Sequence, residues 1–214
     1  MSTTGQARPP RPGSRFRSGA AVLLLATGLW SVGGAAWIQA KALLAQALIE
    51  QAWSGNLARG EPVQRPWSWA DTTPIARLAF VRQRQSMIVL AGDSGAVLAF
   101  GPGHRDGSAL PGGGGNSVIS AHRDSHFAVL EKVAIGDLVE VESIDGKTGS
   151  YRVDNVDIVD KHDLTVTEQR GRDQLTLVTC WPFNAITPGG PERYVVSASR
   201  IGDAPWAARP AGLR

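Results

Sequence analysis

The single cysteine of this 214-residue chain is where nucleophilic chemistry would begin. Cys180 ends the run Leu175-Thr-Leu-Val-Thr-Cys180, and Arg193 opens the run Arg193-Tyr-Val-Val-Ser-Ala198. Both runs read as strands, rich in β-branched residues and alternating between two faces. Between them lie Trp181-Pro-Phe-Asn184 and Pro188-Gly-Gly-Pro191, which cannot continue a central strand. The chain therefore leaves the sheet just after Cys180 and returns at Arg193. As antiparallel neighbours, the two strands would set Cys180 opposite Arg193, with Cβ atoms ~5 Å apart. A thiolate is a strong nucleophile, and a nearby cation favours its ionised form. A guanidinium can also stabilise the oxyanion formed when a carbonyl is attacked. The alternative is that Cys180 is a small buried hydrophobe, a common place for free cysteine, and Arg193 a surface charge.

A cysteine nucleophile needs an acid/base partner, and the chain offers His104, His122, His126 and His162. His122 follows Ser117-Val-Ile-Ser-Ala121, where a strand gives out. In that setting it complements the thiol and the guanidinium as the group that moves protons. His122 and His126 are four apart, which invites a metal reading. That reading requires a shared helical face and a third ligand. The preceding residues read as strand, and no further cysteine or carboxylate is suitably spaced, so no metal site is expected.

The compartment makes the lone thiol more informative. Arg8, Arg11, Arg15 and Arg17 precede Gly19 to Ile38, a stretch without charge. That stretch is about the length that crosses a bilayer core. The flanking arginines predict a cytoplasmic tail over residues 1–18, a transmembrane helix over 19–38, and an exported remainder. A cleaved signal peptide ending near Gly33-Gly34 is the alternative. One cysteine cannot form an internal disulfide, and in an oxidising compartment a free thiol is exposed to oxidation.

Residues 39–74 read as a juxtamembrane helix and lead-in. Leu43, Leu44, Ala47 and Leu48 have helical spacing within Lys41 to Trp53, expected to be a plain stalk. Trp67 and Trp69 are expected to pack on the following domain; a carbohydrate or peptide platform is the alternative. Residues 75–204 would form one globular domain, with 205–214 a tail. Seven strands are predicted: Ile75–Val81, Gln85–Leu90, Asn116–Ala121, Asp137–Glu142, Gly149–Ile158, Leu175–Cys180 and Arg193–Ile201. Gly- and Pro-rich turns separate them, which argues an all-β sandwich or barrel. Helix is limited to pieces around Ser94–Ala99 and Phe127–Lys132. The glycine run Pro111–Gly115 lacks the Lys-Ser/Thr of a phosphate loop. The formal net charge is +3, with four arginines in the tail, so the domain is near neutral and has no nucleic-acid face.

These residues resemble a family. Thr176-Leu-Val-Thr-Cys180 is similar to the Thr-Leu-x-Thr-Cys signature of sortases, and Arg193 stands where their arginine follows on the next strand. The stretch from Gly101-Pro-Gly-His104 to Ser120-Ala-His122-Arg-Asp124 resembles the segment carrying the sortase histidine, with Ala121 in place of the usual glycine. The arginine-rich tail, the Pro66-Trp-Ser-Trp-Ala-Asp71 lead-in and Trp181-Pro-Phe-Asn-Ala-Ile-Thr-Pro188 look like the sortases of Gram-negative proteobacteria, class GN. The resemblance covers roughly Ile75 to Ile201. It implies a sortase-like eight-stranded β-barrel with short helices, preceded by a transmembrane helix in the inner membrane, with the barrel periplasmic. It also implies a cysteine transpeptidase without cofactor or metal. Cys180 would attack a Thr–Gly-type bond in the C-terminal sorting signal of a substrate protein and hold it as a thioacyl-enzyme. His122 would protonate the leaving amine and deprotonate an amine acceptor, Arg193 would hold substrate and oxyanion, and Thr179 would line the site. Three rivals remain: a cysteine peptidase, an L,D-transpeptidase-like acyltransferase, and a non-catalytic membrane-anchored β-barrel binding module. An L,D-transpeptidase would have Ser-x-Gly-Cys-x-Arg around its cysteine, unlike Thr179-Cys180-Trp181.

Overall fold

The computed structural model describes residues 14–59, 64–169, 171–187 and 189–203. Most of the expected cytoplasmic tail and all of the 205–214 tail lie outside them. The chain divides into two compact units between Leu44 and Ala45.

The first unit is helical. Helix α1 spans Ser14–Arg59 and continues into the second unit. It is long and apolar enough to cross a membrane. In its membrane-length part Val22, Leu25, Leu29 and Trp30 are all mostly exposed, the surface expected of a helix that meets lipid rather than protein.

The second unit is a closed eight-stranded barrel in the order β1-β2-β3-β4-β7-β8-β6-β5. Its strands are β1 Pro74–Phe80, β2 Gln85–Ala91, β3 Gly103–His104, β4 Asn116–Ser120, β5 Leu138–Ser143, β6 Thr148–Asp160, β7 Gln174–Cys180 and β8 Glu192–Gly202. Seven of these are the expected strands with ends shifted by a residue or two. The eighth, β3, is two residues long and has no periodicity to reveal it. It pairs parallel to β2 and antiparallel to β4. Gly103 is required there, because a Cβ would lie 2.3 Å from the Gly92 carbonyl oxygen. Antiparallel pairing of β1 with β5 closes the barrel.

Alternation along the strands builds the core. Ala76, Leu78 and Phe80 of β1 point inward with Ile119 of β4, Leu175 and Leu177 of β7, and Val196 and Ala198 of β8. The 3₁₀ helix His126–Lys132 and the short α2, Gly95–Leu98, match the two expected helical pieces. A second 3₁₀ turn, Thr165–Thr167, lies in the segment between β6 and β7.

The stalk expectation is corrected by packing. Leu43 and Leu44 are 72% and 59% exposed, whereas Ile49 and Trp53 are 2% and 0% exposed. The packing face is Ala45, Ile49 and Trp53, each one turn on from the last. Ile49 and Trp53 cluster with Ile88, Leu90 and Val97 on the outside of the barrel. Each such burial stabilises by about 1.5–3 kcal/mol, so the end of α1 belongs to the domain. Trp67 packs edge-on against Phe100 at 5.0 Å, but Trp69 is 79% exposed.

Candidate active site

Strand register decides what meets what. β7 and β8 are antiparallel, and Cys180 pairs with Arg193. Both are half-buried. Parity places them on the face shared by Val178 and Val195, opposite the core-facing Leu177 and Val196. On the other side of β7, β4 runs parallel, with Ser120 paired to Val178. The ladder goes one step further, since the Ala121 N–H donates to the Val178 carbonyl at 3.2 Å. His122 lies two residues past Ser120, as Cys180 lies two past Val178. Adjacent strands lie about 4.8 Å apart. The three residues singled out by chemistry thus converge at one end of three neighbouring strands.

The other histidines stand elsewhere. His104 is buried, and its Nε2 donates to the Ala109 carbonyl at 2.8 Å. His162 is exposed. His126 is half-buried at the start of a 3₁₀ helix, where burial first and the neighbouring His122 charge second push its pKa down. His122 itself is exposed. Its carbonyl accepts from the Ser125 and Phe127 N–H groups at 3.4 and 3.1 Å, which fixes the turn that follows it. No group of three or more His, Cys, Asp or Glu that could hold a metal occurs among the described residues.

A cavity of about 140 Å³ opens beside the convergence, with Arg193 in its wall. Val118, Val178 and Val195 form an apolar floor, and Leu164 and Val166 come from the segment between β6 and β7. That segment is anchored by one asparagine that sequence reasoning did not single out. Asn116 is 1% exposed. Its Nδ2 donates to the carbonyls of Val166 and Glu168, each at 3.1 Å. Its backbone N–H and carbonyl exchange bonds with the Gln169 amide at 2.7 and 2.8 Å. The Thr176 hydroxyl donates to its Oδ1 at 2.7 Å.

Thr179 does not line the cavity. It is 2% exposed, and its hydroxyl donates to the Ala121 carbonyl at 2.8 Å. Parity turns it into the barrel beside Leu177. It ties the residue before Cys180 to the residue before His122.

The loop after Cys180 is held from two sides. Trp181 stacks on Tyr194 at 5.5 Å, and Phe183 meets both rings edge-on at 5.7 and 5.1 Å. Arg123 is the second hold, and the sequence analysis gave it no role. It is 5% exposed and donates to the carbonyls of Pro182 and Ala185 at 2.6 and 2.8 Å. Its fork also grips Asp124, through Nε to Oδ1 at 2.7 Å and Nη2 to Oδ2 at 3.0 Å. The hydrogen bond to Asp124 is the main reason its pKa is raised, with the nearby Cys180 charge contributing. The His-Arg-Asp tripeptide is legible in the sequence, but its partners lie 59 and 62 residues away.

The chain is similar to several known proteins. The chain is 31% identical over 114 residues to sortase D of Bacillus subtilis (strain 168). That match covers 53% of this chain and 57% of the relative's length. The Clostridium perfringens sortase D5 transpeptidase shares the fold, with a TM-score of 0.58 at 21% identity over 74% of this chain and 96% of that one. Sortase A from Corynebacterium diphtheriae is similar with a TM-score of 0.57 at 27% identity, covering 75% and 86% of the two chains. Sortase C1 from Streptococcus agalactiae gives 0.54 at 30% identity, covering 60% and 68%. The sortase domain family matches residues 81–201. That segment is more than half of the chain and includes His122, Cys180 and Arg193, and the protein belongs to the sortase family.

Proposed function

We propose that this protein is a membrane-anchored cysteine transpeptidase of the Gram-negative, class GN, group. One observation carries the reading: β4, β7 and β8 are neighbours, and the ends that lead into His122, Cys180 and Arg193 lie beside a cavity with a valine floor and Arg193 in its wall. The sorting signal of a substrate protein lies in that cavity. The Cys180 thiolate attacks the carbonyl carbon of a Thr–Gly-type bond, and a C–S bond forms. Arg193 donates to the developing oxyanion. As the C–N bond breaks, His122 gives its proton to the leaving amine. An amine acceptor then attacks the thioester and loses a proton to His122 as the C–S bond breaks, and the Cys180 thiolate leaves, restoring the starting pair. Each step is carried by side chains of this chain. The class assignment rests on the Trp181 to Pro188 stretch and the Pro66 to Asp71 lead-in. The anchor is α1, placed in the inner membrane with the barrel in the periplasm; the acceptor is an amine on the same side.

The test uses the full-length protein with peptides containing a Thr–Gly bond, with and without glycinamide. Cleavage at that bond, a trapped thioester on Cys180 and a glycinamide-capped product are expected. Hydrolysis alone, unchanged by the amine, would instead mark a cysteine peptidase. Cys180→Ala should abolish turnover with the fold intact, and residual turnover there would end the transpeptidase reading. His122→Ala should lose about 10²–10⁴ in turnover. His126→Ala should keep most of it, because that ring stands in the 3₁₀ helix beyond the turn and not next to the end of β4.

A further inference from the structure

We propose that Arg123 is a positioning residue of this active site, locking His122 in register with Cys180 by bridging the turn after one to the loop after the other. The inference rests on the transpeptidase reading above. Two links join the chain around His122 to the chain around Cys180. On the near side, the Thr179 hydroxyl donates to the Ala121 carbonyl at 2.8 Å. On the far side, Arg123 donates to the carbonyls of Pro182 and Ala185 at 2.6 and 2.8 Å. His122 and Cys180 each sit between the two links. Both lie beyond the last β4–β7 pair, Ser120 with Val178, so the ladder alone does not hold them.

The chemistry of the side chain fits that task. Three nitrogens serve four bonds in two directions. Nη1 and Nη2 reach carbonyls three residues apart in one loop, while Nε and Nη2 hold Asp124. Only a rigid planar fork makes all of these at once; an ammonium is a point charge on a flexible stem. Asp124 stays 70% exposed while Arg123 is 5% exposed. The buried cation is thus neutralised by a partner at the surface, and its loop contacts are sheltered from water. Arg123 touches neither substrate nor the reacting atoms in this role. It acts through His122, whose exposed ring has no such brace among the described residues.

The two half-reactions separate this role from a general structural one. p-Nitrophenyl acetate acylates a reactive thiol and releases p-nitrophenolate, a leaving group that needs no proton. Glycinamide then attacks the acetyl thioester, and the amine must pass a proton to His122 as the C–S bond breaks. In full-length protein, Arg123→Lys should leave acylation little changed and slow transfer to glycinamide by about 10²-fold, the scale of a small misplacement of a catalytic group. In a His122→Ala background, Arg123→Lys should add nothing further to the loss in transfer, because contacting residues that act as a unit are not additive.

Four outcomes would overturn the assignment: wild-type transfer in Arg123→Lys, equal losses in both half-reactions, an undiminished loss in the His122→Ala background, or an Arg123→Lys protein that no longer folds by circular dichroism. A wild-type thiol that neither p-nitrophenyl acetate nor iodoacetamide modifies would be a different failure. It would sink the transpeptidase reading itself, and the role of Arg123 with it.

Discussion

Arg193 Nη1 donates to the carbonyls of Gly190 and Glu192, both at 2.9 Å, so one corner of its fork is pinned to its own loop. Nε and Nη2 are left for a ligand in the cavity it lines. A lysine would keep a charge there but would lose the second directed donor. Losing one oxyanion donor typically costs ~10²–10³ in turnover. Arg193→Lys is expected to lose turnover on that scale, while alkylation of Cys180 by iodoacetamide, which builds no oxyanion, falls much less. Near-normal turnover in the lysine variant would leave Arg193 a purely electrostatic role. A parallel collapse of alkylation would place its effect on the thiol.

Asn116 works at the scale of an element, opening β4 and fastening the wall of the cavity that Leu164 and Val166 supply. Five of its hydrogen bonds reach Val166, Glu168, Gln169 and Thr176. In Asn116→Ala the two backbone bonds to Gln169 can persist, but the Thr176 hydroxyl loses its acceptor and the Val166 and Glu168 carbonyls lose the Asn116 amide donor. Leaving such buried groups unsatisfied costs about 1–3 kcal/mol. The expected result is faster amide exchange in 164–169 and a KM for peptide that rises more than kcat falls. Equal exchange rates in variant and wild type would show that the segment is held by something else. Nothing in the 161–173 sequence signals this anchor. The segment lacks strand or helix periodicity, and its partners are 50 to 53 residues distant along the chain.

For the whole molecule, stability should depend on pH through Asp137 ahead of β5. The hydrogen-bonded Arg82 guanidinium, with help from the Ala134 N–H and Gln83, holds its carboxyl at about 2, below the ordinary 3.8. A carboxyl depressed on folding binds its proton more readily when unfolded. Its stabilisation is therefore complete above the unfolded value and is lost as pH falls through about 2. Asp137→Asn should be less stable than wild type at pH 6, and the gap should close by pH ~2. Urea titrations at both pH values measure it, and a gap that persists in acid would contradict the assignment. The membrane orientation is tested on the same scale. Reporter fusions after Arg17 and after Arg214 should report opposite sides of the membrane, since the basic residues precede the apolar span. A processed, soluble protein in the periplasmic fraction would count against the anchor.

Local patterns determined a large part of this protein. Alternation and β-branching identified seven strands, because a half-buried strand writes its period into the chain. Cys180, His122 and Arg193 could be singled out because each stands at or just beyond a strand end with a residue type suited to one chemical step. Where these residues sit relative to one another is a matter of register, and register depends on pairings that no single strand encodes. Tertiary structure alone showed that β7 lies between β4 and β8. It also gave the end of α1, expected to be a plain stalk, a packing face at Ile49 and Trp53, since helical spacing alone does not say whether a neighbour covers the helix. Thr179 turned inward for the same reason: strand parity is fixed by which neighbours fill the core. Arg123 and Asn116 were invisible beforehand because their partners are carbonyls and amides about sixty residues away or less, brought near only when the barrel closes.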